Sequence, residues 1–72
     1  MSIELTNEEK IQIINNHIKN LKTNKYNLEV SVIEENGLDE PSSDKLNLLN
    51  KEIADTDDRI SALNAEIIKL AE

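Results

Sequence analysis

Cysteine is absent from this 72-residue chain, and glycine, proline, histidine and tyrosine each occur only once. Without cysteine the chain has no disulfide, no thiolate metal ligand and no thiol nucleophile. One glycine excludes a glycine-rich phosphate-binding loop, and one histidine excludes a histidine-rich metal site. We therefore expect no catalytic residue, no cofactor, no metal site and no small-molecule substrate, and we expect the protein not to be an enzyme.

Basic residues are also scarce, since 8 Lys and Arg face 15 Asp and Glu, for a net charge of −7. A surface of this sign repels nucleic acid and anionic lipid, so we expect neither as a partner. The acidic residues either keep the protein soluble or attract a basic protein. No apolar run approaches membrane-spanning length and residues 1–10 do not resemble a signal peptide, which predicts a cytoplasmic location.

Apolar residues recur at alternating steps of three and four along two segments, the pattern of two amphipathic helices with heptad seams. Thr6 and Glu9 form a capping box that predicts the start of the first helix. The pattern predicts a single domain over 1–72, with an N-terminal arm at 1–6, helices at 7–36 and 43–71, and a turn at 37–42. A connection this short makes the helices antiparallel.

The turn carries the usual signals for ending a helix. Gly37 can adopt the left-handed conformation past a helix end, and Leu38 then packs back onto Ile33 in a Schellman motif. Pro41 prevents the helix from continuing. Three residues are suitable N-caps for the second helix, and the sequence does not choose between them: Ser42, Ser43 and Asp44.

We therefore predict an all-α fold, a two-helix antiparallel coiled-coil hairpin that can assemble into a larger helical bundle. Placing Val32 opposite Leu49 also places Lys25 opposite Thr56, so the two interruptions of the apolar pattern share one layer. We expect the Thr56 hydroxyl to accept a hydrogen bond from Lys25, and this polar layer to specify the register. The seam residues are Ile11, Ile14, Ile18, Leu21, Lys25, Leu28, Val32, Leu49, Ile53, Thr56, Ile60, Leu63, Ile67 and Leu70.

The same register predicts contacts between residues that flank the seam. They are Lys22 with Asp57, His17 with Glu66, and Asn24 with Arg59. Exposed pairs of this kind contribute about 0–1 kcal/mol each. They support the alignment more than they stabilise the fold, and they make His17 a pairing residue and not a ligand.

Several apolar residues lie off the seam. Scattered surface apolar residues are common, but a two-helix hairpin of this length is marginal by itself. We therefore expect an oligomer or partner surface, formed by Tyr26, Val30, Ile33, Ala54 and Ile68. We expect Ile3 and Leu5 either to fold over the Ile67–Leu70 end or to contact a neighbouring molecule.

The segment LTNEEKIQIINNHIKNLKTNKYNLEVSVIEEN, followed by a proline-containing turn, resembles small uncharacterised proteins of T4-like phages of marine cyanobacteria. The resemblance includes no functional motif, and it implies a viral origin, in the virion or the host cytosol. Two hypotheses of function remain. The chain is a structural or assembly protein that binds itself or a larger assembly, or it is an acidic regulator that binds a basic surface of a host protein.

Overall fold

The computed structural model describes residues 4–72, which form two α-helices joined by a short turn. Helix α1 spans Asn7–Asn36 and helix α2 spans Ser43–Ala71, and residues 4–72 contain no strand. Each helix is about 45 Å long, and the two lie antiparallel in a molecule of 59 × 18 × 18 Å. The fold is therefore an all-α helical hairpin, as the periodicity predicted, and both helices begin and end where the sequence indicated.

Helix α1 begins with the predicted capping box. The Thr6 hydroxyl accepts from the backbone N–H of Glu9 at 3.1 Å, and the Glu9 carboxylate accepts from the backbone N–H of Thr6 at 3.0 Å. The bond from the Thr6 backbone N–H to the Glu9 carboxylate, followed by the contact of that carboxylate with the Thr6 side chain, lowers the pKa of Glu9. The Asn7 side chain then donates to the carbonyl of Leu70 at 3.1 Å, which joins the start of α1 to the end of α2.

The N-terminal arm is only partly covered by these contacts. Leu5 is 46% exposed. Ile3, which we expected either to fold over the end of α2 or to contact a neighbour, lies outside the described residues.

The end of α1 differs from the prediction. Gly37 has φ −78° and ψ −8°, in the right-handed helical region, and its N–H donates to the carbonyls of Ile33 and Glu34 at 3.1 and 3.2 Å. Ile33 and Leu38 remain 68% and 55% exposed. The predicted Schellman motif is therefore wrong, because the chain continues in a helical conformation through Gly37 and needs no left-handed residue.

Helix α2 begins after an extended residue, Ser42, at φ −81° and ψ 115°. The Ser42 hydroxyl accepts from the backbone N–H of Lys45 at 3.2 Å, so Ser42 is the N-cap among the three candidates. Asp44 follows in the first turn, where a carboxylate suits the positive end of the helix dipole.

The seam between the helices is only half covered. Each predicted seam residue is buried or half-buried, yet Ile18, 7% exposed, is the only aliphatic residue of 4–72 in the buried class. Two helices can cover only the strip along which they touch, and water reaches that strip from both sides. The hairpin therefore has a line of apolar contacts but no dry core.

Candidate interaction surface

The middle layer of the seam is polar, but its bonds are not the predicted ones. Lys25 Nζ lies 2.8 Å from a carboxylate oxygen of Asp57, and the Thr56 hydroxyl donates to the carbonyl of Glu52 at 2.8 Å. The prediction that Thr56 accepts from Lys25 is therefore wrong. A helical threonine satisfies its hydroxyl on the carbonyl one turn back, and an ionised carboxylate is the stronger acceptor for an ammonium.

The Lys25–Asp57 contact has two consequences. The hydrogen bond to Asp57 raises the pKa of Lys25, and the negative charges of Asp57 and Glu29 add to the effect against the cost of desolvation. Because Asp57 directly follows Thr56, the contact also places the helices in a register consistent with the predicted one. The two side chains are 32% and 50% exposed, so the pair lies at the edge of the seam.

The predicted flanking ion pairs are not formed. Within residues 4–72, neither Lys22 with Asp57 nor His17 with Glu66 approaches within 4.0 Å. Asp57 is occupied by Lys25, and an exposed pair gains too little to hold two long side chains in one geometry. The third predicted contact joins Arg59 to Asn24, an uncharged residue, and both residues line one groove between the helices.

A carboxylate that sequence reasoning missed holds the turn. Glu35 is 6% exposed, accepts from the backbone N–H of Ser42 at 3.0 Å and pairs with Lys45 Nζ at 3.2 Å. The bond from Ser42, and then the one from Lys45, lowers the pKa of Glu35. The sequence contained a signal for this residue, because Glu35 follows Leu28 by one heptad and so lies on the seam after Val32.

One long side of the hairpin, which we call the polar face, carries a groove between the helices. Leu21, Leu28 and Thr56 lie in this groove, and the other residues that line it are Asn24, Asn27, Ser31, Glu52 and Arg59. Its exposed large apolar residues are Ile13, 44% exposed, and Leu48, 67% exposed. In the register set by Lys25 and Asp57, Leu48 lies level with Ile33 and therefore about 30 Å from Ile13 along the hairpin, at 1.5 Å per residue. No exposed large apolar residue of this side lies between them, so they form no continuous patch.

The opposite side holds most of the predicted partner surface. Tyr26, Ile33 and Ile68 are 65%, 68% and 62% exposed, and Ala54 is exposed beside them. Tyr26 and Ile33 are one heptad apart on α1, and Ala54 and Ile68 are two heptads apart on α2, so each pair follows one line along its helix. These four residues define the Tyr26 face. Val30, the fifth predicted member, is half-buried and lies further round α1.

Residues 4–72 hold no group of three or more His, Cys, Asp or Glu side chains arranged to bind a metal ion. Neither α1 nor α2 contains an apolar stretch of the length that a lipid bilayer requires.

Comparisons with protein-family models, with curated proteins and with solved structures found no significant match.

Proposed function

We propose that this chain is a non-catalytic structural or assembly protein that acts through helix-mediated protein–protein contact at the Tyr26 face. The observation that carries the proposal is the exposure of Tyr26, Ile33 and Ile68, each above 60%, on one side of a hairpin without a dry core. Aromatic side chains such as tyrosine, in the middle of an interface and surrounded by other apolar contacts, often contribute most of the binding free energy.

The state of the seam supports the same proposal. Its residues are mostly half-buried, so a further helix laid along the Tyr26 face removes more apolar surface from water than the exposed residues alone supply. Each Å² of apolar surface removed favours association by about 25 cal/mol before the entropy cost of binding is subtracted. A partner therefore completes a core that two helices leave open.

Affinity capture with tagged protein from its native setting, phage-infected cells if the resemblance holds, tests the proposal. Tyr26→Ser and Ile33→Ser are expected to lose captured material, whether other copies of the chain or a larger assembly. Leu48→Ser is the matched control, because Leu48 is as exposed as Ile33 but lies on the polar face. Equal capture by all three variants contradicts the proposal.

The acidic turn favours a second candidate, a regulator that binds a basic surface of a host protein. Residues 29–44 include six Asp and Glu and no Lys or Arg. Binding through these charges weakens steeply as salt is added. Capture that is insensitive to salt, and unchanged when Asp39 and Glu40 are replaced by Asn and Gln, counts against this candidate.

A further inference from the structure

The Tyr26 face has a protrusion and a hollow at the same height. The Tyr26 side chain, 65% exposed, stands on α1. Ala54 lies on α2 level with Tyr26, since the register that brings Lys25 to Asp57 brings these two residues to the same height. Ala54 is exposed and carries only a methyl group, and we call the space above this methyl group the hollow.

The same face holds charges that the hairpin does not pair. Lys22 and Lys19 lie beside Tyr26 along one groove of α1, and within residues 4–72 neither has a carboxylate within 4.0 Å. Asp57 lies across from Lys22 on α2, half-exposed, with one of its oxygens bonded to Lys25. A second lysine can therefore reach its other oxygen from outside the hairpin.

We propose that the Tyr26 face is the interface of a homodimer in which two hairpins pack face to face with their turns at the same end. Each Tyr26 then fills the hollow over Ala54 of the partner subunit, and each Lys22 reaches Asp57 of the partner subunit. This inference rests on the proposed function, because it identifies a second copy of the chain as the protein bound at that face.

Charge selects this orientation over the alternative, because neighbouring helices are antiparallel in both arrangements. A two-fold axis along the hairpin lays α1 over α2 of the partner, so every neighbouring pair in the four-helix bundle is antiparallel. The head-to-tail arrangement instead lays α1 over the partner's α1. It brings Lys19 and Lys22 against the same lysines of the other copy, and like charges in contact oppose binding.

The size of the face matches a stable dimer. A strip about 45 Å long and 18 Å wide covers about 800 Å², which is the area each partner contributes to an interface of standard size. The half-buried residues at the edge of the seam lie beneath this strip. A second hairpin therefore covers them without any change in either copy.

The first experiment measures mass and orientation on the purified protein. The absence of cysteine allows one spin label at Glu40→Cys, an exposed position in the turn outside the face. Sedimentation is expected to show a dimer, and pulsed electron paramagnetic resonance a distance within about 30 Å between labels, because neighbouring helices lie about 10 Å apart. A distance of about 45 Å or more, the length of a helix, overturns the proposal, as does a monomer at high concentration.

Variants test the contacts. Tyr26→Ser and Ala54→Leu are expected to weaken dimerisation by about tenfold or more, the first by removing the protrusion and the second by filling the hollow. Leu48→Ser is expected to leave the dimer unchanged, and circular dichroism confirms that each variant is helical. An Ala54→Leu dimer as tight as wild type overturns the proposed fit.

Salt gives an independent readout that separates this inference from the broader proposal. Each copy carries −7, so added salt screens the repulsion between copies and is expected to strengthen the dimer. Salt also screens the proposed Lys22–Asp57 pairs, but exposed pairs contribute only about 0–1 kcal/mol each, so a dimer that weakens with salt overturns the proposed apolar interface. If purified protein stays monomeric while a different protein is captured through Tyr26, the homodimer is wrong and the proposed function stands.

Discussion

The turn and the middle of the hairpin each place one charged side chain on the seam, and the two are held differently. Glu35 at the turn is 6% exposed, with one oxygen on the Ser42 N–H and the other on Lys45. Lys25 in the middle is 32% exposed and reaches a single partner, Asp57, which is 50% exposed.

The difference shows where polar groups determine this fold. A buried carboxylate that loses one of its two donors is left partly unsatisfied away from water, and that loss is costly. A half-exposed ion pair can exchange its partner for water at little cost. The turn is therefore held by polar bonds, whereas the middle is held by the apolar residues around Lys25.

Ile18→Ala should cause the greatest loss, because Ile18 is the most deeply buried aliphatic side chain of residues 4–72. We expect the free energy of unfolding to fall by about 2–4 kcal/mol, measured by urea denaturation at fixed protein concentration. Ile13→Ala removes the same atoms from a side chain that is 44% exposed and should cost less than about 1 kcal/mol. Equal losses would show that the middle is not held by its apolar seam.

Glu35→Gln should lower the thermal midpoint more than Glu34→Gln, which makes the same change on the exposed neighbour. The pKa of Glu35 is lowered from its ordinary value of 4.5, so its contribution is present above pH 4.5 and is lost as the pH falls through the folded value. The difference between Glu35→Gln and wild type should therefore shrink in acid. A difference that persists unchanged at pH 2 contradicts the role of the carboxylate.

Lys25→Gln should have a smaller effect than Glu35→Gln at neutral pH, because Lys25 and Asp57 are both partly in water. The pKa of Lys25 is raised above 10.5, so its contribution is present below pH 10.5 and is lost as the pH rises through the folded value. Thermal melts at pH 7 and pH 11 check the sign. A larger loss for Lys25→Gln than for Glu35→Gln at pH 7 would reverse the comparison.

Gly37→Ala should stabilise the hairpin by about 0.4–1 kcal/mol, because alanine restricts the unfolded chain and fits a right-handed helical residue. An added Cβ at Gly37 meets the carbonyl oxygen of Glu34 at 3.4 Å, an ordinary contact. Denaturation curves measure the change. A loss of stability of similar size would indicate a left-handed cap and would weaken the description of the turn.

Thr56→Val should change stability least, by no more than about 0.5 kcal/mol. The hydroxyl donates to the carbonyl of Glu52, which also accepts the ordinary helix bond from the Thr56 N–H, so valine leaves no donor or acceptor unsatisfied. If Thr56 instead held Lys25, the variant would lose stability. Asp57→Asn, which alters the acceptor that Lys25 uses, is the paired control.

The sequence predicted the helices and their seam because these depend on local signals. The capping box at Thr6 and Glu9 and the helix-ending role of Pro41 involve neighbours in the chain. It predicted the turn less well. The sequence predicts Gly37 to be a left-handed cap, because glycine is the residue that most often adopts that conformation. It does not predict Glu35 to be part of the seam, because an acidic residue is rarely buried.

Helical spacing predicted the positions of most residues of the Tyr26 face, but not the exposure of every one. Helical spacing places Tyr26 and Ile33 in one line on α1, and it extends that side to α2 once the register is known. Spacing could not distinguish Val30, which is half-buried in the structure, from the exposed residues of that face. The exposed fraction of a residue beside the seam depends on the side-chain conformations of its neighbours, and sequence spacing alone does not determine these.

The all-α hairpin, the bounds of its two helices and the apolar line between them follow from the amino-acid sequence alone, because caps and heptads act over a few residues. The bond from Lys25 to Asp57 and the closing of the turn by Glu35 through Ser42 and Lys45 follow only from how the two helices pack. In each case several acceptors or donors compete for one charged side chain. The distances between these groups, which determine the partner, are set only when the two helices have packed.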